Sequence, residues 1–158
     1  MHIDSSEFRR VLGHFVTGVT VLTTRDREGA PAGLTLNAFA SLSLRPPLVL
    51  VCVDRAADTH DLIAAADGFA VNVLAEGQER IARRFAADEV DRRFEGIAWR
   101  RETTGAPVLD DVLAWVDCRL HSTADGGDHT IYIGEVVDAA ARDGAPLLFY
   151  RGGYGPIR

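Results

Sequence analysis

"VLAWVDCRLHSTADGGDHTIYIGEVVDAAA", residues Val112 to Ala141, is the stretch whose reading decides the fold. Valine, isoleucine, leucine, tyrosine and threonine dominate two runs on either side of Gly126-Gly127, and residues of this kind favour strand. A glycine-bearing connection this short joins neighbouring antiparallel strands, because a parallel pair needs a crossover of a dozen residues or more. Downstream, "PLLFYRGGY" (146–154) reads as a last strand ending in a glycine turn.

The same pattern recurs upstream. "GVTVLTTR" (18–25) is strand-like, and "DREGAP" (26–31) is a turn, since Asp, Gly and Pro each supply turn geometry. "AGLTLNAFASLSL" (32–44) alternates through Leu34, Leu36 and then Phe39. "RPP" (45–47) interrupts it, and "LVLVCVD" (48–54) resumes as a nearly continuous apolar strand, predicted to be covered on both faces. "GFAVNVL" (68–74) is a further strand.

Three segments carry helical signals. Residues 5–15 place Phe8, Val11, Leu12 and Phe15 on one face, with Ser5 or Ser6 as the cap. Residues 56–66 form a short helix with Asp58 or Thr59 near its start. Residues 75–94 read as one amphipathic helix with Ile81, Phe85 and Val90 on one side. Residues 96–111 read as loop, with a short strand around Trp99.

Six or seven strands and two or three helices result, in one domain over residues 1–158. Strands follow one another at both ends of the chain instead of alternating with helices. The fold is therefore expected to be mainly β (α+β): an antiparallel barrel with peripheral helices, not a parallel βαβ sheet. No GxGxxG fingerprint is present, which argues against a Rossmann cofactor site.

Composition bounds the function. The chain has 158 residues, 47% hydrophobic and 25% charged, with a net charge of −6. All 17 basic residues are arginine. An acidic surface argues against general affinity for nucleic acid or membrane, while single arginines remain suited to paired phosphate contacts. The start, "MHIDSSEFRR", lacks the pattern of a signal peptide, and no apolar run is long enough to span a bilayer, so a cytoplasmic location is expected. The two cysteines, Cys52 and Cys118, lie in strand-like runs without a CxxC, and read as buried free thiols rather than a disulfide or metal site.

The order of "FRRVLGHFVTGVTVLTT", "GLTLNAFASLSLRPPLVLVCV", "GFAVNVL", "RRFA", "GGDHTIYIGEV" and "PLLFYRGGY" resembles the short-chain flavin reductases, the reductase components of two-component flavin-dependent monooxygenases. The resemblance runs from Phe8 to Tyr154. It implies a split β-barrel of Greek-key type, FMN or FAD as flavin, and a homodimer. It also implies hydride transfer from NADH to the flavin, with reduced flavin passed to a separate monooxygenase. Hydride transfer needs no nucleophile and no metal; it needs two flat rings held together with water kept away.

Residue by residue, the resemblance points to the following. Gly33, Thr35, Asn37 and Ala38 meet the flavin ring or its ribityl chain, with Thr35 and Asn37 on one face and small Ala38 allowing close approach. Without it, Thr35 and Asn37 read equally as solvent-side strand residues. Cys52, Val53 and Asp54 end the strand that borders the ribityl chain. Thr59 meets the phosphate at a helix start, while Asp58 departs from the family pattern, since a carboxylate repels phosphate. Arg84 matches an arginine that reaches the phosphate; the plain reading is a solvated charge on a helix. His129, the catalytic candidate, matches the histidine of the family's G-D-H and borders the nicotinamide, with Asp128 fixing its tautomer or shaping the turn. Tyr150, Arg151, Gly152 and Gly153 form the other nicotinamide-side group, against a plain reading as a strand end and turn. No basic cluster marks a 2′-phosphate clamp, which favours NADH over NADPH. Trp99 and Trp115 read as core or interface. The rival readings are an oxidoreductase with permanently held flavin and a non-catalytic flavin- or haem-binding module.

Overall fold

Residues 2–157 are described by a computed structural model. Twelve strands form: β1 Thr17–Gly18, β2 Thr20–Arg25, β3 Pro31–Leu36, β4 Phe39–Leu44, β5 Pro47–Asp54, β6 Gly68–Val73, β7 Trp99–Arg101, β8 Pro107–Leu109, β9 Ala114–Gly126, β10 His129–Ala141, β11 Leu148–Tyr150 and β12 Gly153–Gly155. Three α-helices accompany them among the described residues: α1 Ser5–Leu12, α2 His60–Ala66 and α3 Glu79–Ala86.

The main sheet has seven antiparallel strands in the order β3-β2-β6-β9-β10-β5-β4. Alternate side chains from every strand meet in one core, for instance Leu34, Leu22, Val71, Cys118, Tyr132 and Val51. A flat sheet could not bring its two edges to the same core, so the sheet curls around it. The edges β3 and β4 are joined by Asn37-Ala38 but are not paired with each other. This unpaired seam is the split of the barrel; α2 packs against β2 and β6 and adds Ile63 to the same core.

A second core lies outside the sheet, where Val21, Ala70 and Trp115 meet Phe85 of α3 and Val108 of β8. Its buried polar groups are paired, as a low-dielectric interior requires. Asn72 donates to Val21 O at 3.0 Å and Thr23 Oγ1 at 3.1 Å, and accepts from Leu109 N at 2.9 Å. Asp117, fully buried, accepts from Thr104 N at 2.8 Å and Thr104 Oγ1 at 2.5 Å. These bonds pin the β7–β8 hairpin to the sheet.

The hairpin that opened the sequence analysis is present as read: β9 and β10 pair from Ala141↔Ala114 to His129↔Gly126, with Gly127 at φ +73° in the turn. Other expectations change. Asp4, not Ser5 or Ser6, caps α1 by accepting from Glu7 N at 2.8 Å, and the helix stops at Leu12. The 56–66 helix begins only at His60. The 75–94 segment is not one helix: a 3-10 turn at Glu76–Gln78 leads into α3, which stops at Ala86 because Ala87 is extended (ψ 156°). Asp88, Glu89 and Asp91 follow at once, and carboxylates are disfavoured at a helix C-terminus. Arg93 then holds Ala87 O at 2.6 Å. The 96–111 segment contains β8 as well as the strand at Trp99.

The strand 48–54 is not covered on both faces: Val49, Val51 and Val53 are buried, while Leu50 and Cys52 between them are half-buried. Cys52 is therefore a partly exposed thiol, whereas Cys118 is buried, and both are free.

Gly134 shows how tightly the inner core is packed. A Cβ there would lie 2.7 Å from Phe69 Cζ and 2.8 Å from Cys118 Cβ. Gly134→Ala is expected to cost about 1–3 kcal/mol in urea unfolding, since overpacking forces rotamer and backbone shifts. Gly77→Ala, with nothing within 4 Å of its Cβ, should stay within about 0.5 kcal/mol of the parent. Equal stability of the two variants would refute this account of the core.

The Cys118 thiol adds a pH signature. Burial, and then the neighbouring Asp117, push it from 9.0 up to about 12. The unfolded thiol ionises first, so this contribution is whole below pH 9 and is lost as the pH rises toward 12. Unfolding midpoints measured from pH 8 upward should therefore fall less steeply for Cys118→Ala than for the parent.

Candidate functional site

The outward face of β5 builds the site. Because side chains alternate, a strand that sends Val49, Val51 and Val53 into the barrel must send Leu50, Cys52 and Asp54 the other way. Beside them lies the Asn37-Ala38 corner, fixed to β5 by Cys52 N donating to Ala38 O at 3.0 Å. Helix α1 stands over this face, held where Arg151 N donates to Gly13 O at 2.9 Å. The result is a cleft of 900 Å³, with Phe8 and Leu12 on one wall, Ala38 and Cys52 on another, and Phe149 and Gly152 closing an end. That volume lies in the range of small-molecule and cofactor sites. Its walls are mostly apolar, and Asn37, donating to Thr17 Oγ1 at 3.1 Å, is a polar group fixed at its edge.

Of the predicted residues, Asn37, Ala38, Cys52 and Gly152 line this cleft. Thr35 lines a narrower recess of 180 Å³ beside it, and its hydroxyl is committed to Ala82 O at 2.6 Å. Gly33 is buried below: a Cβ there would lie 2.7 Å from Leu22 O, and its own carbonyl accepts from Arg93 Nη1 at 2.8 Å. Val53 turns into the barrel core, leaving only its backbone to face a ligand. Asp54 ends β5 and accepts from Ala56 N at 2.9 Å. Thr59 is 1% exposed at the start of α2.

His129 opens β10 opposite Asp54, and Ile131 lies opposite Cys52. The imidazole thus shares the sheet face of the cleft floor, one pleat repeat further along. Its Nδ1 lies 2.7 Å from Asp128 Oδ1. That contact holds the exposed Asp128 carboxyl below its usual range. The turn is docked on β5, where Arg55 N donates to Asp128 O at 3.0 Å and Arg55 Nε to Gly127 O at 3.1 Å. Thr130 points the opposite way and meets His60 Nε2 at 2.8 Å, anchoring the strand end to α2.

The closing "YRGGY" is a two-residue hairpin between β11 and β12. Arg151 (φ +49°) and Gly152 (φ +81°) form its tip, and both left-handed conformations match the twist of a tight hairpin. Tyr150 is exposed and sits edge-on to His14 at 6.3 Å, and Gly153 pairs with Tyr150.

Arg84 is not brought to this cleft. It donates to Glu95 O and lines a separate 500 Å³ depression with Ile97 and Asp110. The arginine nearer the seam is Arg93, which bonds Gly33 and Ala87 carbonyls. Burial lowers its pKa, against the opposing charges of Asp58 and Asp88. The sequence reading gave Arg93 no role. It also gave Phe8, Leu12 and Phe149 no role in a site. Their signal was only that apolar faces existed, not what they would face.

Residues 12–158 match the family model described as "Flavin reductase like domain". The reductase subunit of a flavin-dependent monooxygenase from Rhodococcus jostii is 46% identical over 153 residues, 96% of this chain and 77% of that protein. An FMN reductase (NADH) from Agrobacterium fabrum is 43% identical over 96% of this chain and 86% of its own length. Among solved structures, an NADH:FAD oxidoreductase from Streptomyces globisporus, crystallised with NAD and FAD fragments, superposes with a TM-score of 0.92. It has 42% identity and covers 98% of this chain and 93% of that one.

The cleft geometry separates the two thiols. Cys52 lines the cleft and burial raises its pKa, so a thiol reagent at mildly alkaline pH should modify it slowly in the folded protein. Cys118 should react only on unfolding. Peptide mass mapping that finds Cys118 labelled before Cys52 would overturn the assignment of faces on β5 and β9.

Proposed function

The chain belongs to the flavin reductase-like family, and from that premise we propose that the 900 Å³ cleft takes the flavin, with the nicotinamide of NADH laid against it. The protein is an NADH-dependent flavin reductase: it transfers a hydride from NADH to FMN or FAD. The observation that carries this reading is the cleft itself. It has apolar walls, a fixed amide at Asn37, and a floor at Ala38 and Cys52 low enough for a flat ring to approach.

A bound flavin supplies the electron-accepting ring; the chain supplies position and dryness. Phe8, Leu12 and Phe149 exclude water from the cleft, which strengthens every polar contact inside it. Asn37 is oriented by Thr17 to present its amide to the pyrimidine edge. His129 is assigned to the nicotinamide side. Its Nδ1 is engaged by Asp128, so Nε2 is the atom offered to the carboxamide. Gly152 permits the backbone to come close at the opposite end.

Reduced flavin is passed to a separate monooxygenase component, as the name of the Rhodococcus relative suggests. The working form is a homodimer. Phe8, Leu12, Phe15 and Leu44 are between 52% and 91% exposed, and a second copy of the chain is the simplest cover for them. No helix among the described residues is long and apolar enough to cross a membrane.

NADH consumption should depend on added FMN or FAD and saturate with either, and flavin should slow the labelling of Cys52. Full turnover without added flavin would replace this reading with a permanently bound cofactor, and no turnover with any flavin would refute it. His129→Ala is expected to raise the KM for NADH by about tenfold, the worth of one lost hydrogen bond, and to leave the KM for flavin near its parent value. Equal KM values for NADH in the two proteins would remove His129 from the nicotinamide side. Phe15→Glu should shift the sedimentation coefficient from dimer to monomer.

A further inference from the structure

Helix α2 meets β10 through one side chain that is held on several sides. His60 opens the helix, and its side chain is 14% exposed. Nε2 lies 2.8 Å from Thr130 Oγ1, and Nδ1 lies 2.7 Å from Asp61 Oδ1. The ring stands edge-on to Tyr132 with centroids 5.5 Å apart, and the Tyr132 hydroxyl donates to His60 O at 2.8 Å. Tyr132 and Ile63 of α2 are both buried in the inner core, so each side of this contact rests on packed side chains. The Asp61 carboxylate accepts from Nδ1–H, which leaves the Nε2 lone pair of the neutral ring to accept from the Thr130 hydroxyl. A protonated ring would donate from Nε2 to the same oxygen, so the link survives in either charge state.

Thr130 follows His129 at the start of β10, and neighbours on a strand point to opposite faces. A side chain fixed on one face fixes the peptide plane, and with it the direction of its neighbour on the other. Arg55 also ties this end of the hairpin, but its ion pair to Asp125 is exposed at both partners, and exposed pairs hold a chain weakly. The His60–Thr130 bond is the better shielded anchor. Resting on the assignment of His129 to the nicotinamide side, we propose that His60 is a positioning residue for the reaction. Through Thr130 it sets the direction in which His129 presents Nε2 to the carboxamide. It acts from the opposite face of β10, without touching the nicotinamide. Leverage of this kind is expected, since a misplacement of about 1 Å near the reacting groups costs on the order of a hundredfold.

The test pairs steady-state kinetics with nitrogen–proton correlation spectra of the histidine rings. Thr130→Val removes the hydroxyl and keeps the branched shape that suits a strand; Thr130→Ser keeps the hydroxyl. Thr130→Val should raise the KM for NADH about threefold, the worth of a modest hydrogen bond, with kcat and the KM for flavin near their parent values. His60→Ala should do the same, and the double variant should go no further than either single one. Thr130→Ser should restore the parent constants. In a His129→Ala background, Thr130→Val should add nothing, because the group it positions is gone. The His129 ring signals, identified by their loss in His129→Ala, should move in Thr130→Val and return in Thr130→Ser. Unmoved ring signals overturn the proposal whatever the kinetics. So does a rise in the NADH KM that adds in full to that of His129→Ala, or a rise in the flavin and NADH constants together, since either leaves His60 a packing role alone. Moved ring signals with an unchanged NADH KM uphold the positioning of His129 and remove its nicotinamide-side role instead. The spectra need no turnover, so a failure of the reductase reading leaves them able to decide the positioning.

Discussion

The strand β5 is the constraint on which the site depends. It is held between β4 and β10, and its seven-residue register with β10 sets which of its side chains enter the barrel. Val49, Val51 and Val53 fill the inner core; Leu50, Cys52 and Asp54 must then form a floor outside. A slip of one residue would invert both sets, putting Asp54 into the core and three valines on the floor. The cost of burying an unpaired carboxylate alone forbids it. The cleft is thus a by-product of core packing, and its position cannot drift without unfolding the barrel.

The remaining parts of the cleft are held less firmly, and differently. The floor strand rests on the inner core through Val49, Val51 and Val53, and Asn72 and Asp117 pin the outer hairpin to the same sheet. The wall formed by α1 has no buried residue of its own and is tied through Arg151 to Gly13. Rigid floor and adjustable wall suit a site that must admit two flat molecules in turn and let one leave. Local stability in such proteins is lowest where apolar contacts are few, and α1 meets that description.

The fold was largely legible in the sequence, and the reason is period. β9, β10 and β6 announce themselves by strand-forming composition, and Gly126-Gly127 marks the turn between the longest pair. What sequence could not supply was which face of an apolar run would be covered. "LVLVCVD" reads as continuous hydrophobicity, yet only half of it is buried, because the other half floors a cleft. The helix expected over 75–94 failed for a related reason: its amphipathic pattern continues past Ala86, but acids at its C-terminal end and an arginine reaching back to Ala87 end it early. Of the site residues, those fixed by backbone position, Asn37, Ala38, Cys52 and Gly152, fall together. Those whose role rests on where a long side chain points do not, and Arg84 is the clearest instance, turned to Glu95 instead of the seam.

His129 shares a sheet face with the cleft floor but does not line the cleft. The strip from Leu50 through Cys52 to Asp54 and His129 runs out from under α1 into the open. Phe15, which lines the cleft, is 76% exposed, and Leu44 at the end of β4 is 91% exposed. Burying side chains of this size releases about 1.5–3 kcal/mol each, enough in combination to hold two copies together. In the homodimer proposed above, a second chain laid on that surface would roof the strip and extend the dry region toward the imidazole. Such a dimer would tie association to catalysis: the ring-stacking geometry needs water excluded along the whole strip, and one chain encloses only the part of it beneath α1.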